Sequence, residues 1–431
     1  MNPKTCTWML CGTVVLGACL HGCKRHTPAK TPAANAAAHA PAPAPTAKTK
    51  TVTPKPAQRQ SLTVTRTEVS RPSFNPSRGQ TSSLHFEINK PATVTVIVYG
   101  PNREEIRRVV EKADFEAGLH EVSWDGCDGD GDVVPDEAYF FTLQAVSGED
   151  GAVVDPLLNS GGERVIASKI RSFDDATKLS YHLPRPCRVL VRAAVVDGPL
   201  LRTIVNWEPR PAGLSLERWD GKDADGLRSI LEVPESKIAV VAFGLPDLTT
   251  ITVGNVARTY RDYYVSVGNQ RPKKVSVIRA PLPEGVISPH SKLPPHLNRD
   301  PGLNLTLSSP VTATADESTN AAADESAAGS PSENEQAKNA ASAIVPVSAK
   351  TMLVRVDIPD ELERRFMNEQ KFELIIYVDD HRTLEVEQGR IPFTYPWDVS
   401  TLSAGRHILT VNVASFRNHV GTVSRMVDVR R

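Results

Sequence analysis

A block of 48 residues occurs twice in this chain, and the second copy begins 95 residues after the first, without a gap. The motif that is easiest to see in both copies is Trp-Asp-Gly, at Trp124, Asp125 and Gly126 and again at Trp219, Asp220 and Gly221. A single offset of this length indicates one small duplicated domain, because solenoid repeats recur at periods of about 20 to 50 residues. The duplication therefore predicts at least two domains of the same fold.

Apolar and polar residues alternate along several stretches of the chain. Residues 83–99 alternate in the first copy, and residues 119–124 and 139–146 are further strand candidates. Residues 352–358 and 407–413 follow a similar pattern near the C-terminus. A two-residue period is typical of half-buried antiparallel strands. The sequence therefore predicts an all-β protein.

Composition divides the chain into folded and unfolded parts. The predicted order is a signal peptide over residues 1–18, a stalk over 19–70, a first domain over 71–172, a second domain with an extension over 173–280, a linker over 281–349 and a third domain over 350–431. The stalk is rich in Ala, Pro, Thr and Lys, and much of the linker consists of Ala, Ser, Thr, Glu and Asn. Such compositions cannot bury a core, so both segments are expected to be disordered.

The N-terminus has the features of a bacterial lipoprotein signal. Lys4 precedes an apolar stretch, Thr5–Ala18, that is too short to span a bilayer, because spanning needs about 20 apolar residues. The stretch leads into Leu-Gly-Ala-Cys at residues 16–19, which resembles a lipobox. Cys19 is therefore the predicted lipidation site, and Cys23, which follows the bulkier Leu-His-Gly, is the alternative. The lipid would anchor the mature chain to a membrane without spanning it.

The residue that follows each cysteine bears on location. Leu20 follows Cys19 and Lys24 follows Cys23. Neither is the aspartate that tends to hold a lipoprotein at the inner membrane of enteric-type bacteria. The sequence thus predicts a lipid-anchored protein of the bacterial cell envelope, at the outer membrane, on its periplasmic or its surface face.

The charge balance argues against a nucleic-acid partner. The chain has 50 basic and 50 acidic residues, whereas nucleic-acid binding requires a clustered positive surface that displaces counterions. Cys127 and Cys187 occupy non-equivalent positions in the two copies, so no disulfide is expected between them. No spacing of cysteines and histidines suits zinc, and no cofactor is expected.

An aspartate-rich loop follows Trp-Asp-Gly in the first copy. Asp128, Asp130 and Asp132 alternate, as the oxygen ligands of calcium loops do. The same residues also suit a tight turn, in which aspartate side chains bind the local backbone and glycine supplies a positive φ. An EF-hand would need Gly and Glu where this loop has Val133 and Tyr139, so we favour the turn and expect no metal.

The sequence contains no motif that demands an enzyme. It has no GxSxG, HExxH or P-loop and no GxGxxG in a strand–helix context, so we expect no catalytic residues. Tyr260, Tyr263 and Tyr264 allow two interpretations, a stacking platform for a sugar or peptide, or packing in a half-buried hairpin, which we favour.

Both copies share a longer pattern around the Trp-Asp-Gly motif. Ala-Gly is followed by five residues, then by Trp-Asp-Gly-x-Asp-x-Asp-Gly, and later by Pro-Asp or Pro-Glu before a strand. This pattern resembles the Ig-like domain of the flagellar hook-capping protein (FlgD), a module that also occurs in other secreted bacterial proteins. Residues 391–411, which include Trp397 and Asp398, look like a different bacterial Ig-like domain. These resemblances imply tandem Ig-like β-sandwiches, separated by the disordered linkers, with binding or spacing roles.

The anchor, the stalk and the repeats together predict a function. We expect a lipid-anchored, non-catalytic envelope protein that displays Ig-like domains as a scaffold or as an adhesion or binding module. Its partners would be the membrane, through the anchor, and an envelope protein or glycan. The alternatives are a carbohydrate- or peptidoglycan-binding lipoprotein and a periplasmic flagellar accessory protein, the latter by fold analogy only.

Overall fold

The computed structural model describes residues 61–172, 178–255, 257–260, 262–263, 300–309, 344–416 and 419–431. Strands predominate over helices in these residues, which confirms the predicted all-β class. The predicted signal peptide, Cys19, Cys23, Tyr264 and most of the stalk lie outside the described residues. None of the helices in the described part of the chain is long and apolar enough to cross a bilayer.

The elements are numbered in chain order. Up to residue 172 the strands are β1 (Val64–Val69), β2 (Ser73–Phe74), β3 (Ser82–Ile88), β4 (Ala92–Tyr99), β5 (Glu105–Phe115), β6 (Gly118–Trp124), β7 (Ala138–Ser147), β8 (Asp150–Val154), β9 (Arg164–Val165) and β10 (Ser168–Ser172). They continue as β11 (Lys178–Leu183), β12 (Cys187–Val195), β13 (Leu200–Arg210), β14 (Gly213–Arg218), β15 (Ser236–Gly244) and β16 (Thr249–Thr252). The C-terminal elements are β17 (Asn304–Ser308), β18 (Val345–Val347), β19 (Thr351–Asp357), the helix α1 (Glu361–Glu369), β20 (Phe372–Val378), β21 (His381–Val386), β22 (Phe393–Asp398), β23 (Gly405–Ser415) and β24 (Val420–Val429).

The first sandwich consists of two sheets. One has the strand order β1-β3-β6, and the other has the order β2-β16-β7-β4-β5, with β8 paired to β7. Leu84 and Phe86 of β3 and Val94 and Val96 of β4 alternate into a core that also buries Trp124. Because a pleated strand directs successive side chains to opposite faces, the alternation seen in the sequence becomes the buried face of each sheet.

The second sandwich repeats this plan. Its sheets have the orders β10-β11-β14 and β13-β12-β15-β9. Leu179 and Tyr181 are buried at the positions that Leu84 and Phe86 occupy in the first copy. Trp219 packs beside them in a neighbouring cluster that includes residues 193 and 201. The duplicated sequence therefore encodes a duplicated strand plan.

The third sandwich combines sheets of order β17-β19-β22 and β18-β24-β23-β20-β21. The helix α1 begins after Asp360, whose side chain accepts a hydrogen bond from the Glu363 N–H and so caps the helix N-terminus. Trp397 and Phe372 are buried in a core formed by both sheets. The strand pattern predicted for the C-terminal part is thus present.

Two of the predicted segment borders are displaced by short strands. The strand β1 and the buried Leu62 belong to the first sandwich, although both lie in the predicted stalk. The strands β17 and β18 lie in the predicted linker but pair with β19 and β24. These strands are short or weakly apolar, so their conformation depends on pairing with distant strands, which local periodicity does not report.

The border between the first two domains is also more complex than predicted. The strands β9 and β10 lie in the predicted first domain but pair within the second sandwich. The strand β16 lies in the predicted extension of the second domain but pairs with β7 and β2 of the first. The chain therefore passes between the two sandwiches twice, once before β9 and once after β15.

Candidate functional site: the repeated turn and the interdomain contacts

The Trp-Asp-Gly motif of the first copy forms a tight turn at the end of β6. The indole Nε1 of buried Trp124 donates to the carbonyl oxygen of Cys127 at 2.8 Å. The Cys127 N–H donates in turn to Asp125 Oδ1 at 3.0 Å. Gly126 has a φ of 79°, and a side chain there would collide with Pro76. The three motif residues thus have separate structural roles. Trp124 anchors the turn in the core, Asp125 accepts a backbone hydrogen bond, and Gly126 adopts the positive φ that the turn requires.

Asp128 directs its carboxylate at protein donors. Its Oδ1 accepts from the backbone N–H groups of Asp130 at 3.1 Å and Asp132 at 3.0 Å. Its Oδ2 accepts from the Tyr263 hydroxyl at 3.0 Å. The side chains of Asp130 and Asp132 are exposed, and the described residues include no group of three or more His, Cys, Asp or Glu placed to hold a metal. The three aspartates therefore belong to a hydrogen-bonded turn, and their carboxylates do not point toward one common site.

The second copy repeats these contacts. Trp219 Nε1 donates to the carbonyl oxygen of Lys222 at 3.0 Å, and the Lys222 N–H donates to Asp220 Oδ1 at 3.1 Å. Gly221 again has a positive φ, of 73°. Asp223 Oδ1 accepts from the Leu227 N–H at 2.7 Å, four residues ahead, as Asp128 does in the first copy. The repeated Trp-Asp-Gly motif thus has the same local geometry in both sandwiches.

One position in the turn differs between the copies in what it contacts. Asp130 is exposed in the first copy, whereas Asp225, at the equivalent position, reaches the third sandwich. Asp225 Oδ2 accepts from the Ser424 N–H at 2.6 Å, and Oδ1 lies 3.7 Å from Arg425 Nη1. Burial raises the pKa of Asp225 to about 6. The second turn therefore also serves as a contact between domains.

Further polar contacts join the second and third sandwiches. The side chain of Asn412 on β23 accepts from the Leu200 N–H at 2.8 Å and donates to the Leu200 carbonyl oxygen at 3.1 Å. Thr422 Oγ1 donates to the same carbonyl at 2.8 Å. The guanidinium of Arg228 makes two contacts with the Asp380 carboxylate, at 2.7 and 2.5 Å. An amide that satisfies both backbone groups of one residue fixes orientation as well as distance.

A buried ion pair joins the first and second sandwiches. Arg188 Nη2 lies 2.6 Å from Glu137 Oε1, and Arg188 Nη1 donates to Glu137 Oε2 at 3.3 Å. Arg188 Nη1 also donates to the Trp207 carbonyl oxygen at 2.8 Å. Both charged side chains are buried. This pair could not be predicted from the sequence, because a charged residue at the start of a strand gives no signal for a partner in another domain.

The tyrosines considered as a stacking platform lie in the core of the first sandwich. Tyr260 and Tyr263 are both buried there, and Arg258 lies over the Tyr263 ring at 5.0 Å from its centroid. Burial raises the pKa of the Tyr263 hydroxyl, which donates to Asp128. The interpretation of these two residues as an exposed sugar-binding surface is therefore wrong, because β16 carries the chain back into the first sandwich.

A serine, a histidine and an aspartate lie in a row in the third sandwich. His407 Nδ1 is 2.6 Å from Asp379 Oδ2, and Nε2 is 3.0 Å from the Ser403 carbonyl oxygen and 3.3 Å from Ser403 Oγ. The hydrogen bond to Asp379 raises the pKa of His407. Because Nδ1 faces the Asp379 carboxylate and Nε2 faces the Ser403 carbonyl oxygen, both contacts favour the protonated imidazole.

The remaining residues that stood out in the sequence lie in a core or in a turn. Trp397 is buried in the third core, and Asp398 Oδ1 accepts from the Ser400 N–H at 2.9 Å. Hydrogen bonds from the Ser400 side chain and from its N–H lower the pKa of Asp398. Cys127 and Cys187 are unbridged thiols. Burial raises the pKa of Cys187 to about 12, so it is an inert core residue.

Part of the chain matches a known family. Residues 73–149 match the model of the FlgD Ig-like domain, and they include the first Trp-Asp-Gly turn. This match agrees with the resemblance in the first copy. No curated protein matches the chain.

Solved structures similar to this chain include arrays of small β-domains. The fibronectin(III)-like modules of Clostridium thermocellum CbhA align with 86% of this chain and 94% of their own, at 9% identity and a TM-score of 0.17. The central fibronectin-III array of RIM-binding protein aligns with 81% of this chain and 92% of its own, at 10% identity and a TM-score of 0.16.

Proposed function

We propose that this protein is a lipid-anchored, non-catalytic scaffold of the bacterial cell envelope that displays Ig-like sandwiches as a fixed array for adhesion or for binding other envelope components. The observation that carries the proposal is the way the sandwiches are joined. The strand β16, encoded after the second sandwich, completes a sheet of the first. Separating the two would break strand pairing as well as surface contacts.

The polar interfaces support a spacing role. The ion pair of Arg188 and Glu137 is buried between the first and second sandwiches. Between the second and third sandwiches, the side chain of Asn412 makes hydrogen bonds with the backbone of Leu200. Buried polar contacts of this kind specify orientation, because an altered orientation leaves desolvated groups without partners. Domains connected in this way hold binding surfaces at set distances from each other.

The N-terminal sequence supplies the proposed link to a membrane. Residues 20–61 separate Cys19 from Leu62, which is the first buried residue of the first sandwich. Their composition predicts a spacer without a core of its own. A lipid on Cys19 would therefore place this spacer between the membrane and the first sandwich.

The anchor is tested by separate Cys19→Ala and Cys23→Ala substitutions in the producing bacterium. The measurements are the mass of the N-terminal peptide and the distribution of the protein between membrane and soluble fractions. We expect Cys19→Ala to abolish acylation and release the protein, and Cys23→Ala to leave both unchanged. Acylation that persists in Cys19→Ala and disappears in Cys23→Ala would move the anchor to Cys23, and a wild-type N-terminal peptide without an acyl group would refute the anchor.

A second experiment locates the array. Protease is added to intact cells, and cleavage of the third sandwich is followed with an antibody. Cleavage on intact cells places the binding surfaces outside the cell and supports an adhesive role. Protection until the outer membrane is opened indicates a periplasmic scaffold, whose partners would be peptidoglycan or envelope proteins.

A further inference from the structure

The first two sandwiches have equivalent outer sheet faces. In the first sandwich this face belongs to the sheet β1-β3-β6, and in the second it belongs to β10-β11-β14. The cross-strand pairs correspond, since His85 lies opposite Glu121 as Ser180 lies opposite Leu216. Because successive side chains of a strand point to opposite faces, the residues that alternate with the buried ones form the outer face of each sheet. The outer faces of the two copies can therefore be compared position by position.

The outer face of the first sandwich is acidic. It carries the carboxylates of Glu68 on β1, Glu87 on β3 and Glu121 on β6. Glu87 pairs with Arg66 at 3.2 Å, whereas Glu68 and Glu121 are exposed and have no ion-pair partner among the described residues. Leu119 lies in the same face and is 64% exposed. We call this surface the acidic face.

The outer face of the second sandwich is basic and apolar. Three of its positions carry a positive charge that the first copy lacks, since Glu68, Ser83 and Ser123 are replaced by Arg171, Lys178 and Arg218. Lys169, in the bulge of β10, is a further exposed cation. Leu214 and Leu216 lie in this face and are 65% and 58% exposed. The three strands contain one acidic residue, Glu217, whose side chain is buried against Arg210. We call this surface the basic face.

The basic face has the composition of a binding surface. Its four cations are exposed and have no ion-pair partner in the part of the chain that the structure describes. Leu214 and Leu216 are neighbours on the outer side of one strand, and adjacent exposed leucines leave more apolar surface in water than a single one does. Apolar side chains with charged groups around them are typical of protein interfaces. A partner that covers the leucines and supplies carboxylates would satisfy both features.

We propose that the basic face binds the acidic face of another copy of this chain. The two faces are complementary in charge, and the contact would bury Leu119 of one copy near Leu214 and Leu216 of the other. Both faces are exposed in the same molecule, so they do not cover each other within one chain. An anionic membrane would also attract the basic face, but it would not account for the opposite charge of the equivalent face.

A contact between two different faces has a consequence for assembly. Such a contact is heterologous, so each bound copy still has one free acidic or basic face, and further copies can add. The inference goes beyond the fixed array within one chain, because it joins separate arrays to each other. It does not depend on the lipid anchor.

Sedimentation velocity of the full mature chain tests the proposal, with Cys19 and Cys23 replaced by serine so that no lipid drives association. We expect species larger than dimers to form as the protein concentration rises. Raising the salt from about 0.02 M to about 0.5 M should lower the association constant at least about tenfold, because salt screens the charges. The double variant Leu214→Ser, Leu216→Ser should also associate more weakly, because less apolar surface is removed from water.

Charge reversal identifies the two faces. The variant Glu68→Lys, Glu121→Lys has two positive faces, and the variant Arg171→Glu, Lys178→Glu, Arg218→Glu has two negative ones. Each variant should be monomeric by itself, because its faces repel each other. An equimolar mixture of the two should associate again, since every positive face then meets a negative one. This recovery would also show that both variants are folded.

A matched control tests whether net charge alone is responsible. The variant Glu111→Lys, Glu369→Lys changes two largely exposed carboxylates elsewhere and should associate like the wild type. A wild-type chain that stays monomeric at low salt would overturn the proposal, as would association that survives either reversal or that the mixture does not restore. Binding of a monomeric wild-type chain to vesicles containing phosphatidylglycerol, lost when the basic face is reversed, would identify a membrane as the occupant and would also overturn it.

Discussion

Asp128 shows how one side chain can organise a whole turn. Its two carboxylate oxygens accept from two backbone N–H groups and from the buried hydroxyl of Tyr263. A cation would have to displace these donors in order to bind. The turn is therefore a structural element that links the end of β6 to the chain returning from β16.

Replacing Asp128 by alanine should destabilise the first sandwich by about 2 to 3 kcal/mol, because buried donors lose their acceptor. Asp130→Ala is the control, and the loss of its exposed carboxylate should change the free energy of unfolding by less than about 0.5 kcal/mol. Urea unfolding followed by Trp124 fluorescence measures both. A rise in the wild-type Tm with millimolar Ca²⁺ that Asp128→Ala abolishes would contradict this account of the turn.

Glu104 should make the first sandwich sensitive to pH. Burial, reinforced by the charge of Glu137, raises the pKa of Glu104 from 4.5 to about 8. Between these values the folded chain keeps a proton that the unfolded chain releases, so stability falls as pH rises from about 4.5 to 8. The slope is up to about 1.4 kcal/mol per pH unit.

The variant Glu104→Gln should remove this slope and be more stable than the wild type near pH 8. Unfolding titrations at several pH values measure the effect. Glu111→Gln, at a largely exposed carboxylate, is the matched control and should retain the wild-type slope. An unchanged slope in Glu104→Gln would show that another group is responsible.

At the scale of elements, the sequence predicted strands that carry their own apolar alternation and missed those that depend on a distant partner. The strands β3 and β4 alternate clearly and form the first core. The strand β16 has the sequence Thr-Thr-Ile-Thr, and its partner β7 lies more than 100 residues earlier. No local pattern can assign such a strand to a sheet, because the pairing is decided by tertiary contacts.

The dependence of the first sandwich on β16 can be measured at Ile251. This residue is buried with Ala138 and Leu245. Ile251→Ala should lower the free energy of unfolding of the first sandwich by about 2 to 4 kcal/mol. Val253→Ala, at a position that is 41% exposed, should have little effect. Equal effects of the two substitutions on Trp124 fluorescence would contradict the assignment of β16 to the first sandwich.

At the scale of the whole molecule, the important contacts are those between domains, and these were the least predictable. The sequence located Asp225 within a repeated turn, but its partner Ser424 is 199 residues away. Arg188 and Glu137 likewise belong to different sandwiches. The turn geometry follows from local residue types, whereas the use of the second turn as a docking contact depends on the position of the third sandwich.

Breaking the buried ion pair of Arg188 and Glu137 should destabilise the protein strongly, whereas replacing both residues by apolar ones should not. Arg188→Ala leaves the Glu137 carboxylate buried without its partner and should destabilise the first two sandwiches by about 3 to 5 kcal/mol. The double variant Arg188→Met, Glu137→Leu should recover most of this loss, because apolar residues need no charged partner. Alanine at the surface pair Arg382 and Glu385 is the control and should cost less than about 1 kcal/mol. A double variant no more stable than Arg188→Ala would show that the pair itself is not the source of the effect.

The most direct test of a fixed array is the distribution of distances between the first and third sandwiches. Spin labels are attached at Glu121→Cys and Arg365→Cys, both exposed, in a chain whose Cys19, Cys23 and Cys127 are replaced by serine. We predict a single narrow distance distribution by pulsed electron paramagnetic resonance, and a broad one after Asn412→Ala is introduced. A broad distribution in the chain that keeps Asn412 would contradict the fixed array and leave the sandwiches as independently moving modules.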